Sequence, residues 1–314
     1  MSRRRFLTIA SAACLGAPLR AAGTYQWHGQ ALGAKAQIIL DDPDAEAITA
    51  RALAEIARLE DIFSLYRPAS ELSRLNAQGY LPAPSFELLG CLSLARRVHR
   101  ITEGRFDPSV QPLWAALAAR YGAGGGADTS SPADDLAEAA SAAIGFDRVQ
   151  IKASELRLGA GQALTLNGIA QGYIADRVAL LMRRAGLHDV VVDTGEIVAM
   201  GDAPQAVSGG GWPVEIAGAA RLRLRDRAVA TSSPLGTVFD HRAFGGAGTA
   251  GHILDPHRAA PAISPVEQVS ISAPSAALAD ALSTALCLTS SKAQAAALLS
   301  EVKEARIESF RLRG

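Results

Sequence analysis

Two short segments decide the interpretation of this chain: GHILDP at residues 251–256 and ADALSTA at residues 279–285. Asp280 and Thr284 are four positions apart, so a helix over residues 275–288 would place a carboxylate and a hydroxyl oxygen on one face. Oxygen ligands of this kind suit a hard divalent cation. The spacing leaves a second interpretation open, in which Asp280 begins a surface helix against which Thr284 packs.

The GHILDP segment predicts a strand that ends in a turn, because Pro256 biases the residue before it towards extended geometry. His252 and Asp255 would then approach the same site from this strand and turn. An imidazole is well suited to proton transfer near neutral pH, so His252 is a candidate general base. A structural hydrogen-bonding role for His252 is the alternative.

The composition favours an enzyme-sized globular protein. Of the 314 residues 49% are hydrophobic, and 31 basic residues balance 31 acidic ones, which argues against an electrostatic nucleic-acid binder. Apart from Cys14, the cysteines are Cys91 and Cys287, each within an apolar helical pattern. A disulfide between these two and a pair of buried free thiols are both compatible with the pattern.

The N-terminal residues resemble an export signal. SRRRFLT at residues 2–8 matches the twin-arginine pattern except at Thr8, and a short apolar stretch and small residues follow it. We therefore predict a signal at residues 1–22, a periplasmic protein exported folded, and a single domain at residues 23–314. Cys14 leaves lipid attachment and association with the inner membrane open.

Hydrophobic periodicity predicts both helices and strands. The predicted helices are residues 44–63, residues 85–103, residues 133–143, residues 169–184 and residues 292–303, and the segment 122–132 is a predicted surface loop. Predicted strands include residues 148–151, 155–158, 163–166, 189–193, 196–200, 213–216, 222–224, 228–231 and 306–312. Because strands and helices do not alternate strictly, the predicted fold class is α+β with a largely antiparallel sheet.

Six motifs taken in order resemble the ApbE family of FAD:protein FMN transferases. They are FSLYRP with SELSRLN at residues 63–76, GRFDPSV at 104–110, NGIAQGY at 167–173, ATS at 230–232, HILDP at 252–256 and ADALSTA at 279–285. The resemblance covers nearly the whole chain beyond the signal and implies an ApbE-like, T-fold-like architecture. It also implies that Mg²⁺ is held by the Gly168 carbonyl and by Asp280, Ser283 and Thr284, with Asp280 essential for catalysis.

The resemblance further implies which residues contact FAD, the substrate. Tyr66 and the strip Arg105, Phe106 and Asp107 match such positions, as do Leu32 and Leu254, which would line the flavin pocket. The sequence pattern alone, without the resemblance, favours a core position for Phe106.

Two further positions that the resemblance implies contact FAD, Thr165 and Gln171, depart from the family pattern. Thr165 stands where an aspartate is common and Gln171 where a lysine is common, so an acid and a base are lost together. This leaves the local charge balance unchanged and indicates a coupled replacement within a subgroup. Similarly, Thr194-Gly195-Glu196 replaces a frequent Gly-Gly-Asp.

The resemblance implies Mg²⁺-dependent transfer of FMN from FAD to a threonine of a partner flavoprotein, with release of AMP. The export signal and the NGIAQGY variant are similar to the branch linked to nitrous oxide reductase maturation, whose acceptor is a membrane-bound electron-transfer protein. A subunit of an ion-pumping membrane oxidoreductase is an alternative acceptor. Two alternative functions remain: an FAD pyrophosphatase that releases free FMN and AMP, and a non-catalytic exported FAD-binding protein.

Overall fold

The computed structural model describes residues 24–31, 33–121, 133–204, 210–216, 218–238 and 251–313. The predicted signal at residues 1–22, the predicted loop at residues 122–132 and the candidate flavin contact Leu32 lie outside the described residues. No described helix is both long enough and apolar enough to cross a membrane.

Helices and strands are both abundant along the described chain. The helices are α1 (Ala45–Phe63), α2 (Glu71–Gln78), α3 (Phe86–Ile101), α4 (Gln111–Tyr121), α5 (Ala133–Ala142), α6 (Ala170–Arg184), α7 (Ala276–Leu286) and α8 (Lys292–Leu299). The strands are β1 (Tyr25–Ala31), β2 (Ala34–Leu40), β3 (Tyr80–Pro82), β4 (Gln150–Lys152), β5 (Glu155–Arg157), β6 (Val190–Asp193), β7 (Ile197–Met200), β8 (Trp212–Ile216), β9 (Ala220–Leu224), β10 (Arg227–Ser232), β11 (Leu254–Asp255), β12 (Ala260–Pro261), β13 (Val266–Ala273) and β14 (Arg306–Leu312).

The main sheet of the described residues has seven strands in the order β1-β2-β6-β7-β10-β13-β14, and every neighbouring pair is antiparallel. Successive side chains of a strand point to opposite faces, so Val190 and Val192 enter the main core while Val191 enters a second core. The β8-β9 hairpin covers that second face, where the Trp212 indole N–H donates to the Met200 carbonyl at 2.7 Å. The central strands are therefore buried on both faces.

Helices α6 and α7 pack against each other and cover the other face of the sheet, with α7 lying on β10 and β13. Their backbones approach closely at Gly172, where a Cβ atom would lie 2.4 Å from the Ala276 carbonyl oxygen. Only glycine avoids this overlap with backbone atoms, which cannot rotate away. The close approach places the polar face of α7 directly beside the first turn of α6.

The structure confirms the α+β class and the largely antiparallel sheet. The strand predicted at residues 163–166 is wrong: the Asn76 side chain bonds both the N–H and the carbonyl of Leu164, at 2.7 Å and 2.8 Å, in place of a neighbouring strand. The last predicted helix ends at Leu299, earlier than expected. Cys91 and Cys287 are both buried free thiols, and they do not form a disulfide. Of the two alternatives that the sequence left open, the structure therefore has the pair of free thiols.

Candidate functional site

A cleft opens where the first turn of α6, the polar face of α7 and the end of β10 meet the segment that carries HILDP. Its empty space, including the open mouth, is about 1190 Å³. Pockets of about 300–1,000 Å³ hold drug-sized ligands, so this cleft has room for a large nucleotide. Asp280, Thr284, Gly168 and His252, which are far apart in the sequence, all line it.

Three candidate metal ligands come together in the cleft floor. Asp280 and Thr284 face it from consecutive turns of α7, as their spacing predicted. Gly168 lies just before α6, and a Cβ atom there would lie 2.9 Å from the Thr284 hydroxyl oxygen. A larger residue would therefore occupy the space beside this hydroxyl. The glycine leaves room for a small ion next to a hydroxyl, a carboxylate and a backbone carbonyl.

Asp280 is only 3% exposed. Among the described residues, its carboxylate accepts a hydrogen bond from the Gly172 N–H at 3.4 Å. Burial, with the charge of Asp176, raises the pKa of Asp280 to about 8. A second buried carboxyl, Glu196, lines the same cleft, and burial together with the charges of Asp280 and Asp193 raises its pKa well above the ordinary value. Two buried carboxyl groups with few hydrogen bonds are costly to ionise, and a bound cation would offset that cost.

The donors in the cleft floor fit Mg²⁺, since all of them are oxygens and Mg²⁺ is commonly held by one or two carboxylates plus substrate phosphates. No group of three or more His, Cys, Asp or Glu side chains that could hold a metal occurs within the described part of the chain. The arrangement matches a site whose remaining ligands come from water and phosphate.

Ser283, the fourth predicted ligand, lies behind the other three. Its side chain is fully buried beneath the cleft and does not line it. Its hydroxyl lies 2.7 Å from the Ser232 hydroxyl and donates to the Asp280 carbonyl at 3.0 Å. These bonds hold α7 against β10, so the Ser283 side chain supports the other candidate ligands from behind, and its own role as a metal ligand stays a prediction.

We expect Mg²⁺ to stabilise the protein more at high pH than at low pH. Without metal, the raised pKa of Asp280 means that the folded state keeps this carboxyl protonated up to about pH 8 while the unfolded state ionises near pH 4, so stability falls as pH rises through this window. Mg²⁺ requires the ionised form and offsets the loss. The rise in melting temperature on adding Mg²⁺ should be larger at about pH 9 than at about pH 6; an equal rise at both would contradict the assignment.

A second cavity adjoins the cleft, and both are lined by Asn167 and Gln171. Its other wall comes from the end of α1 and the segment after it, including Phe63 and Tyr66. Gln171 is 5% exposed, and its side-chain Nε2 has no hydrogen-bond partner among the described residues. A buried amide donor without a partner is costly, so this N–H is suited to an acceptor atom of a ligand that crosses from one cavity to the other.

The other predicted FAD contacts also lie at these two cavities. Tyr66, which is 54% exposed, lines the second cavity, and Thr165 and Leu254 line the cleft. Phe106 is 5% exposed, so it belongs both to the core and to the cleft wall. The two readings that the sequence left open for Phe106 are therefore compatible.

Arg105 and Asp107 line the cleft, but protein groups already engage them. The Asp107 carboxylate accepts from the Ser109 N–H at 2.7 Å, from the Ser109 hydroxyl at 2.5 Å and from the Phe146 N–H at 3.1 Å. Arg105 donates to Glu103 at 2.8 Å and to the Thr102 carbonyl at 3.1 Å. Both side chains thus shape the cleft wall, and Asp107 has little remaining capacity to bond FAD.

His252 stands at the cleft wall with its Nδ1 3.2 Å from the Thr237 carbonyl oxygen and 3.3 Å from the Thr237 nitrogen. Burial lowers the pKa of His252 below its usual value, so the imidazole is neutral near neutral pH. If Nδ1 carries the hydrogen and donates to the carbonyl, Nε2 is left as the basic nitrogen. Burial thus leaves His252 neutral, as a general base must be, and the tautomer decides whether Nδ1 donates to the Thr237 carbonyl or accepts from the Thr237 N–H.

Trp114, Asn167 and Glu196 are among the cleft residues that the sequence did not predict as contacts. Asn167 belongs to the NGIAQGY motif, so its position beside Gly168 was an available signal. Glu196 was noted only as a departure from the usual aspartate. Trp114 lies on α4, which the periodicity did not reveal, and nothing in its local sequence points to the cleft.

The chain belongs to the ApbE family, whose sequence profile matches residues 32–308. The FAD:protein FMN transferase of Haemophilus influenzae is 26% identical over 306 residues, covering 89% of this chain and 85% of that protein. The FAD:protein FMN transferase of Chlamydia pneumoniae is 28% identical over 255 residues, covering 76% of this chain and 75% of that protein. These relatives confirm the predicted family and the predicted class of enzyme, a transferase.

Solved structures confirm the architecture. The apo form of the flavinyl transferase ApbE from Pseudomonas stutzeri aligns with a TM-score of 0.77 at 24% identity, covering 93% of this chain and 92% of that one. The flavin transferase ApbE from Vibrio cholerae aligns with a TM-score of 0.73 at 24% identity, covering 92% and 96%. At these identities the structures establish the shared fold.

Proposed function

We propose that this chain transfers FMN from FAD to a threonine hydroxyl of a partner flavoprotein, in a Mg²⁺-dependent reaction that releases AMP. The observation that carries the proposal is the meeting of two cavities beside the oxygen donors Asp280, Thr284 and Gly168. A dinucleotide has two bulky ends joined by a diphosphate, and this site offers two cavities joined beside a cation site. The relatives are FAD:protein FMN transferases, which supports transfer of FMN to a protein, and the cleft offers residues suited to that reaction.

In this reaction the threonine oxygen attacks the phosphorus of the FMN half, the bond from that phosphorus to the bridging oxygen breaks, and AMP leaves. His252 takes the hydroxyl proton, for which its neutral ring is suited. Gln171 donates its buried N–H to FAD at the junction of the cavities and fixes the substrate there. Mg²⁺ bound at Asp280 would neutralise the charge that develops on the phosphates.

Co-expression with candidate acceptor domains tests the proposal directly. We expect mass spectrometry of the denatured acceptor to show one covalent FMN, absent when the acceptor threonine is replaced by alanine. Production of AMP and free FMN without an adduct, for every acceptor that is tested, would instead support the pyrophosphatase. Unchanged FAD in the presence of Mg²⁺ would support the non-catalytic binder.

Replacing His252 with glutamine should lower the transfer rate by about 10²–10⁴-fold, the usual contribution of a general base. The pH profile is measured at saturating Mg²⁺, which keeps Asp280 ionised. Because burial lowers the pKa of His252, the unaltered enzyme should then stay active below about pH 6.5 and lose activity only as pH falls through the lowered pKa. In the His252→Gln variant this loss of activity at acidic pH should disappear from the pH profile. The matched control is His28→Gln on the exposed side of β1, which should change neither rate nor pH profile. An unchanged rate in the His252 variant would leave the histidine a structural role only.

The export signal and the acceptor are part of the same proposal. We propose that the chain is exported by the twin-arginine route and acts in the periplasm, where its acceptor is a membrane-bound electron-transfer protein. The support is the SRRRFLT pattern at residues 2–8. Replacing both Arg3 and Arg4 with lysine should retain the protein in the cytoplasm, as cell fractionation would show; unchanged export would exclude this route.

A further inference from the structure

Asp176 is a partly buried acid that the proposed reaction does not use. It lies on α6, and its carboxylate accepts three hydrogen bonds from the start of α7: from the Ser275 hydroxyl at 2.7 Å, from the Ala276 N–H at 2.7 Å and from the Ala277 N–H at 3.0 Å. The first N–H groups of a helix have no partner within the helix, so such bonds satisfy them. An acid that caps a helix from another helix fixes the position of one relative to the other.

The helix held in this way carries both side-chain donors of the candidate metal site. Four residues before Asp176 on α6, the Gly172 N–H donates to the Asp280 carboxylate. One turn of α6 therefore forms hydrogen bonds with α7 at two points: the first residues of α7 and the Asp280 carboxylate. The missing side chain of Gly172 lets the two helices close on each other at Ala276, beside the first of these points.

The opposite side of α7 is held as well. The Ser232 hydroxyl of β10 lies 2.7 Å from the Ser283 hydroxyl and 3.3 Å from the Thr284 hydroxyl. These bonds fix the helix laterally near Thr284, but they do not hold its first turn. The first turn of α7 is held by Asp176: among the described residues, this is the side chain of another element that accepts hydrogen bonds from the backbone N–H groups of that turn.

We propose that Asp176 is a positioning residue for the metal site: it sets the axial position of α7 so that Asp280 and Thr284 face Gly168 at the spacing that a divalent cation requires. This inference rests on the proposed function only in taking these residues as the metal ligands. A residue that orients ligands from behind commonly changes metal affinity by about 10- to 100-fold when it is removed. Asp176 would act on the metal while never touching it.

A matched pair of variants separates positioning from ordinary helix capping. Asp176→Ala removes all three bonds. Ser275→Ala removes the N-terminal cap of the same helix, whose hydroxyl accepts from the Leu278 N–H at 3.3 Å, but leaves the two backbone bonds to Asp176 in place. Both variants lose a cap and should lower the melting temperature. Only the Asp176 variant should allow α7 to shift along its own axis.

The measurement is Mn²⁺ binding followed by electron paramagnetic resonance, on the full chain with FAD present and no acceptor. We expect the dissociation constant to rise by about 10- to 100-fold for Asp176→Ala and to change less than about threefold for Ser275→Ala. Transfer by Asp176→Ala should recover in part at high Mg²⁺, with the KM for FAD little changed once metal is saturating. Because Mn²⁺ binding needs no acceptor, a failure of FMN transfer does not affect this test.

Three results would overturn the proposal. The first is an unchanged Mn²⁺ dissociation constant in Asp176→Ala. The second is an equal weakening in both variants, which would make Asp176 a cap and nothing more. The third is a lack of Mn²⁺ binding by the unaltered chain, which would remove the metal site itself. If Asp176→Ala does not fold, Asp176→Asn takes its place, since it keeps one acceptor oxygen and should give a smaller shift in the same direction.

Discussion

Replacing Asp280 with asparagine is expected to reduce FMN transfer by at least about 10³-fold while the protein stays folded. The amide keeps the size of the side chain and an oxygen that can accept from the Gly172 N–H, so packing is preserved. It removes the negative charge on which the cation depends. Steady-state transfer with saturating FAD and Mg²⁺ measures the loss.

The same substitution should separate metal binding from stability. The carboxyl of Asp280 is buried, and its pKa is raised to about 8 because ionisation there is costly without a cation. The asparagine variant should therefore melt no lower than the unaltered metal-free protein above neutral pH, and Mg²⁺ should no longer raise its melting temperature. The control is Asp44→Asn, the same change at an exposed position without a side-chain capping bond. Retained transfer in the Asp280 variant would refute the assignment.

Replacing Gly172 with alanine is expected to lower the free energy of unfolding by about 1–3 kcal/mol, because the new Cβ would overlap the backbone of α7. The atom it meets first, the Ala276 carbonyl oxygen at 2.4 Å, belongs to a buried helix and can move away only if α6 and α7 separate. Such a separation would also shift Asp280 and lower activity beyond the loss of stability. Chemical denaturation measures the first effect, and Mg²⁺ dependence of transfer measures the second.

Gly90→Ala is the matched control, since Gly90 also lies inside a helix but its added Cβ would meet the end of the Tyr173 side chain at 3.1 Å. A side chain can give way, and alanine favours the helix over glycine by about 0.5–1 kcal/mol. We expect this variant to be nearly neutral in stability. If Gly172→Ala were equally harmless, the close helix approach would not be needed for the fold.

Much of the architecture could be predicted from the sequence because it depends on local periodicity. The helices at α1, α3 and α6 and the strands β6 and β7 follow apolar spacings that any packed sheet and helix layer would require. The prediction was wrong at residues 163–166, where an alternating pattern suggested a strand. There a distant side chain, Asn76, takes the backbone bonds of Leu164, and no local pattern records that competition.

The candidate site shows the same division. The four-residue spacing of Asp280 and Thr284 is local, so the sequence by itself determined that both face one side of α7. It also determined the family, through six motifs in a fixed order. The tertiary structure alone decided that Glu196 is a second buried acid in the cleft, that Ser283 supports the floor and that Asp176 holds α7 in position.

The physical reason for this division is the distance along the chain over which each effect acts. Helix periodicity and turn preferences act over a few residues and leave a pattern in the sequence. Burial, raised pKa values and contacts between helices depend on which segments meet, and Asp176 and Ala276 are a hundred residues apart. The sequence determined which oxygens could bind a cation. Only the packing of α6 against α7 decided that those oxygens lie together, buried and weakly compensated, where a cation is favoured.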